Sequence, residues 1–292
     1  MNVVDADFEV ASAYRATLGE SPMWCTRRQT LYWVDVRGPH LFSLDGSRWA
    51  LPEVVGGVVL ADDGSLVLAM KSGLVRFRDG KLDPYVELET SELDNRLNDV
   101  KCDRRGRLWV GTMRDFGAAA TGSLYCVDAG AAARMLTGVT IPNGPCWSPD
   151  GRTFYFADTA DGRIRAYDCD GDLRNARTLV DSDALPGRPD GATVDAEGFV
   201  WSARYGGGGV ARIDPAGRVE RFLRLPVSQV SSVMFGGADL RTLYVTTSRQ
   251  RLSDEALARE PLAGALLAVD AGVQGLAEPR YATDQERASR LA

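Results

Sequence analysis

Six side chains in this sequence combine the type and the setting that chemistry needs: Glu20, Arg96, Asn98, Asp99, Asn143 and Asp190. They sit at the head of largely apolar runs, in the phrases LGESPMW, NRLNDV, IPNGPCW and RPDGATV. Glu20, Asn143 and Asp190 together offer two carboxylates and an amide oxygen. Such hard ligands suit Ca²⁺, Mg²⁺ or Mn²⁺ better than a structural zinc and leave other coordination positions to water. Singly, Asn143 and Asp190 each precede a glycine and read equally well as turn formers. Arg96 fits recognition of an anionic or hydroxyl-rich substrate, or stabilisation of negative charge growing on oxygen, and is expected to face ligand rather than core. His40 is the one histidine in the chain, which excludes Ser-His-Asp, Cys-His and polyhistidine metal mechanisms. The five cysteines, at 25, 102, 126, 146 and 169, include no CxxC pair and are expected as buried thiols.

Residues this far apart meet only if the elements carrying them repeat. A polar turn followed by an apolar, aromatic-rich run occurs six times, at roughly forty-residue spacing. The six are CTRRQTLYWVD, ADDGSLVLA, DRRGRLWVG, WSPDGRTFYFAD, DAEGFVWSA and FGGADLRTLYVTT. Asp-Gly, Glu-Gly and Arg-Gly at the tips suit tight hairpin turns, and the flanking runs read as buried strands. Asp195 lies in one of these turns and carries no expected site role. A second pair of strand signals follows the hairpins, as in GLVRFRDGKL and GRIRAYDCDGDL. Four strands repeated six times indicate an all-β fold, a six-bladed β-propeller around a central tunnel; a β-sandwich would not need the same phrase six times. The segment from Phe8 to Thr17 is left over and is expected to pair with the last blade, which closes the ring within a single domain spanning 1–292. Ser253 to Glu260 is the one helical signal, with Ser253 as its cap. Gly206 to Gly209 is followed by no Lys-Ser, Lys-Thr or helix and is not a phosphate loop.

In such a fold the first strands of all blades converge on the tunnel, and the slot at their heads holds the six residues above, with Gly56 and Gly57 in the second repeat and Ser231 and Ser232 in the sixth. A buried ring of unpaired carboxylates is costly, and a metal ion satisfies it.

Composition narrows the partners. The formal charge of −6, with Lys and Arg scattered, argues against nucleic acid. The first thirty residues show neither a secretory signal nor a membrane span, so no membrane and a cytoplasmic location are expected.

The phrases LGESPMW (18–24), LYWVD (31–35), NRLNDVKCDRRGRLWVGTM (95–113), IPNGPCWSPDGRTFYFADT (141–159), RPDGATVDAEGFVWSA (188–203) and FGGADLRTLYVTT (235–247) give the chain its likeness to a known family. Over nearly its whole length it resembles the senescence-marker-protein, gluconolactonase and regucalcin family of six-bladed propellers. The resemblance implies a metal-dependent hydrolase that opens sugar lactones to aldonic acids. It makes Glu20, Asn143 and Asp190 the ligands of one divalent ion, drawn from Ca, Zn, Mn, Mg and Fe(II). It gives Asp190 the proton transfers as well, and makes Arg96 and Asn98 substrate contacts. Some members carry a further acid in the loop after GTM; here that loop is short, and its one acid is Asp115. The alternatives are another propeller metal hydrolase, acting on aryl lactones or phosphotriesters, and a non-catalytic calcium-binding or docking propeller. A monomer or weak homodimer is expected.

Overall fold

Each repeated phrase folds as an antiparallel hairpin, and two further strands extend it outward into a blade. The computed structural model describes residues 1–283; residues 284–292 of the expected domain lie outside the described residues. Gly19–Cys25, Val55–Leu60, Asn95–Cys102, Pro142–Trp147, Arg188–Val194 and Val230–Gly236 are the innermost strands. They touch one another in that order, and Val230–Gly236 returns to touch Gly19–Cys25, so six sheets close into a ring. The fold is the six-bladed β-propeller expected from the repeat.

The inner strands of each blade are buried and the fourth is wet. Thr30–Asp35, for example, is buried throughout, whereas Arg48–Ala50 alternates exposed and half-buried. Aromatic side chains fill the seams between blades, as where Trp109 meets Trp147 edge-on at 5.7 Å and Trp24 stacks on Tyr244 at 5.8 Å. All five cysteines are buried free thiols.

Phe8–Ser12 pairs antiparallel with Leu266–Asp270 in the sixth blade. Ahead of it, Asn2–Asp5 adds a parallel fifth strand to the fifth blade, a pairing the sequence pattern did not suggest. The helix is Asp254–Arg259, with Ser253 Oγ accepting the Ala256 N–H at 3.3 Å.

The segment from Gln274 to Thr283 crosses the hairpin tips at one end of the tunnel. Its backbone bonds in turn to Ala196, Leu240, Leu60, Asp62 and Gly106. From it Glu278 reaches Lys101, on the inner strand of the third blade, at 3.3 Å and accepts from Thr193 Oγ1 at 3.2 Å. This strap covers the tip end of the tunnel, and the candidate residues all face the opposite end.

Candidate active site

A register shift interrupts all six inner hairpins at equivalent places: between Glu20 and Met23, Val55 and Gly57, Leu97 and Val100, Asn143 and Cys146, Pro189 and Ala192, and Val230 and Ser232. Such bulges re-aim side chains. Here they turn Glu20, Asn98, Asn143 and Asp190 toward the tunnel mouth. Ser21 at φ 51° and Gly144 at φ 60° mark two of the kinks. Crowding fixes the neighbouring residue types: a Cβ on Gly191 would lie 2.0 Å from Ser232 Oγ. Blades two and six supply Gly and Ser at this level and so no carboxylate.

Two of the aspartates that end the second strands hold the chain as it enters the site. Asp35 accepts the N–H groups of Thr17 and Leu18 at 2.9 and 3.1 Å, just before Glu20. Asp158 does the same for Thr140 and Ile141 at 2.8 and 3.0 Å, just before Asn143. These bonds explain the final Asp of LYWVD and FYFAD.

Of the six residues singled out from the sequence, Glu20, Arg96, Asn98, Asn143 and Asp190 line one cavity of about 240 Å³, and Asp99 does not reach its wall. Hydrogen bonds run along its wall. Arg37 and Arg96 both donate to Asp115 Oδ1, at 2.8 and 3.0 Å. Arg96 Nη1 donates to Asn98 Oδ1 at 2.7 Å, and Asn98 Nδ2 donates to Asn143 Oδ1 at 2.9 Å. Asn143 Nδ2 donates to Thr159 Oγ1 at 2.8 Å, and that hydroxyl donates to the Pro189 carbonyl at 2.7 Å, next to Asp190. The order of donors fixes the Asn143 amide with its oxygen on the Asn98 side.

Two expectations change in the light of this geometry. Arg96 lines the cavity but is also packed into its wall, 4% exposed: Nε bonds Asp115, and Nη1 bonds the Leu97 carbonyl and Asn98. Only its Nη2 is left without a bond among the described residues. Asn98 uses both amide hydrogens inside the protein, on Asn143 and on the Pro142 carbonyl at 2.8 Å, so only a lone pair on Oδ1 remains for a ligand.

The electrostatics of the cavity floor are strained. Burial, and then the charges of Asp190 and Asp99, push the Glu20 carboxyl well above its usual value, with Arg96 opposing. Burial and then Asp99 push Asp190 up likewise, against the Gly191 N–H, Arg204 and Arg96. Asp190 Oδ1 is buried with no hydrogen-bond partner. Asp99 accepts the N–H groups of Val100 and Gly144, both at 2.9 Å. Arg96 is drawn down to about 10 by burial and by Arg37, and stays charged at neutral pH.

These donors fit a divalent cation. An orphaned carboxylate oxygen, a second carboxylate and an oriented amide oxygen make up a hard-oxygen set of the kind such ions take. Among the described residues no group of three or more His, Cys, Asp and Glu side chains could hold a metal, so an ion here would rely on the Asn143 amide.

Residues the sequence reading passed over also line the cavity, among them Arg37, Thr159, Tyr205, Gln229, Gln250 and Arg251. They come from the far ends of second strands and from interblade loops, where no repeated phrase points to them.

Fold and site together define a β-propeller with an oxygen-rich pocket at one mouth of its tunnel. The chain belongs to the SMP-30/Gluconolactonase/LRE-like family, whose pattern matches residues 18–249. It is similar to the 6-deoxy-6-sulfogluconolactonase of Pseudomonas putida, 38% identical over 91% of this chain and 96% of that one. It is also similar to the L-arabinolactonase of Azospirillum brasilense, 36% identical over 92% of this chain and 93% of that one. The crystal structure of a calcium-binding protein, regucalcin, from Agrobacterium tumefaciens superposes with a TM-score of 0.93 at 31% identity, covering 96% of this chain and 99% of that one.

Proposed function

We propose that this protein is a lactonase that hydrolyses sugar lactones to aldonic acids, with one divalent metal ion held by Glu20, Asn143 and Asp190. The observation that carries the reading is the buried, unpartnered Oδ1 of Asp190, a residue that lines one cavity with Glu20 and Asn143. The lactonases among its relatives support the substrate class, and the calcium-binding regucalcin supports a divalent ion.

A bound divalent ion supplies Lewis-acid polarisation of the lactone carbonyl and acidifies water at the site. Asp190 is the carboxylate placed to take a proton from the attacking water and to return it to the ring oxygen as the C–O bond breaks. Arg96 presents Nη2 to substrate oxygens, and Asn98 offers the free lone pair of Oδ1 while it orients Asn143. The strap closes the far end of the tunnel, so substrate enters at the site end.

The test is a panel of aldonolactones and aryl lactones assayed with loaded protein, after chelation, and after return of Ca²⁺, Mn²⁺, Mg²⁺, Zn²⁺ or Fe²⁺. The reading requires aldonolactone opening that chelation abolishes and one of these ions restores. Undiminished turnover by metal-free protein would overturn the metal assignment, and inertness toward every aldonolactone would overturn the substrate class.

A further inference from the structure

The charged residues of the cavity are unequal in their partners. Three cations line it, Arg37, Arg96 and Arg251, against three acids, Glu20, Asp115 and Asp190. Arg37 and Arg96 share a single oxygen, Asp115 Oδ1. With Glu20 and Asp190 committed to a divalent ion, one acid faces three arginines. Arg251 has no hydrogen bond or ion pair among the described residues.

The backbone of Arg251 reinforces the point. It is a non-glycine residue in the left-handed region, at φ 61°, a conformation that persists only where the surroundings enforce it. The surroundings are well tied. Ser248 N–H bonds the Gln229 carbonyl at 2.9 Å, Ser248 Oγ and Arg249 N–H bond the Thr17 carbonyl at 3.0 and 3.1 Å, and Gln250 Oε1 accepts from Arg37 Nε at 3.3 Å. A well-tied turn of the sixth blade thus sets an exposed guanidinium, unpaired among the described residues, in the cavity that Arg37 also lines. The candidate metal ligands and Arg96 lie deeper.

A ligand whose lactone carbonyl sits at Asp190 therefore presents its other end to the arginine rim. A neutral aldonolactone offers that rim no counter-charge. We propose that the preferred substrate is a sugar lactone carrying an anionic group, such as a sulfonate or phosphate, at the end remote from the ring carbonyl, with Arg251 as its main contact and Arg37 beside it. The proposal deepens the lactonase reading and rests on it. The two tetrahedral oxyanions share the chemistry that a guanidinium recognises, charge with paired oxygens.

The experiment compares D-glucono-1,5-lactone with its 6-phosphate and its 6-deoxy-6-sulfonate, for wild type and Arg251→Gln. Wild type is expected to favour at least one anionic lactone about tenfold or more in kcat/KM at low salt, the scale of a charge-assisted hydrogen bond. The preference should shrink as ionic strength rises, since a rim charge is screened. Arg251→Gln should lower the anionic-to-neutral ratio about tenfold, mainly through KM. Equal kcat/KM for charged and neutral lactones, or a ratio unmoved by the substitution, would overturn the proposal and leave the lactonase reading standing. Calorimetric titration of calcium-loaded protein with gluconate and 6-phosphogluconate keeps it testable if no lactone is opened. Tighter binding of the phosphate that is lost in Arg251→Gln supports the site, and equal affinities refute it.

Discussion

Asn98 Nδ2 donates to Asn143 Oδ1 at 2.9 Å, a bond between side chains of neighbouring blades that fixes which face of the Asn143 amide looks into the cavity. An amide oxygen is a useful metal ligand only when its rotation is set, and outer partners of this kind typically govern affinity by 10–100-fold.

Asn98→Ala is therefore expected to weaken Ca²⁺ or Mn²⁺ binding by about 10–100-fold, read by calorimetry, while the circular dichroism spectrum stays that of a β-propeller. Unchanged metal affinity would show that Asn143 is oriented without its neighbour.

Asp195, read from the sequence as a turn residue without a site role, is fully buried and ties its blade together. It accepts from the Trp201 indole and from Arg212 Nε, both at 2.8 Å, and from the backbone N–H groups of Glu197 and Phe199 at 3.0 Å. Asp103 plays the same part toward Trp109 and Arg107 in the third blade. Breaking a buried ion pair costs roughly 3–5 kcal/mol. Arg212 keeps Glu197 and Glu220, so Asp195→Asn is expected to cost about 2–3 kcal/mol, with a lower melting temperature and nearly unchanged kcat in the folded fraction. A wild-type melting temperature would contradict this role.

The pH dependence separates the metal-free from the loaded protein. Glu20 and Asp190 have folded pKa values above their unfolded ones. Their contribution to stability is therefore present below the ordinary carboxylate range and is lost as pH rises through the raised values. Metal-free protein should lose melting temperature across that interval. A metal ion must displace the same protons, so its affinity should rise with pH and then level off. Affinity independent of pH from 5 to 8 would contradict the ligand assignment.

The blades were legible in the sequence because each hairpin repeats a turn chemistry and an apolar run that hold wherever they occur. The site was legible to the extent that it occupies a repeated slot: Glu20, Asn143 and Asp190 stand at equivalent heads of inner strands. The bulges that aim them leave only faint local marks, such as Gly144, since alternation along a strand does not reveal a one-residue slip. The burial of Arg96 was not legible because its partner Asp115 follows the second strand of its blade, and no spacing rule joins the two. The strap that closes the tunnel was invisible for the same reason: Glu278 and Lys101 lie 177 positions apart, and no repeated phrase joins them.

Arg96→Ala joins two effects that a rim arginine would not. Removing it leaves the buried Asp115 with Arg37 as its one remaining cation and leaves Asn98 Oδ1 without its donor, so both kcat/KM and melting temperature should fall. Lost activity at wild-type stability would return Arg96 to a purely ligand-facing role.

The central claim, that Asp190 both holds the metal ion and moves the proton, is tested most directly by the kinetics and melting temperature of Asp190→Asn. The substitution keeps size and one oxygen but removes the negative charge and the basic lone pair. The account predicts a fall of about 10² to 10⁴ in kcat on an aldonolactone at saturating metal, with weakened metal affinity. It also predicts a metal-free melting temperature equal to or above wild type, because a buried unpaired carboxylate has been relieved. An Asp190→Asn protein that opens the lactone at close to the wild-type rate would contradict the account.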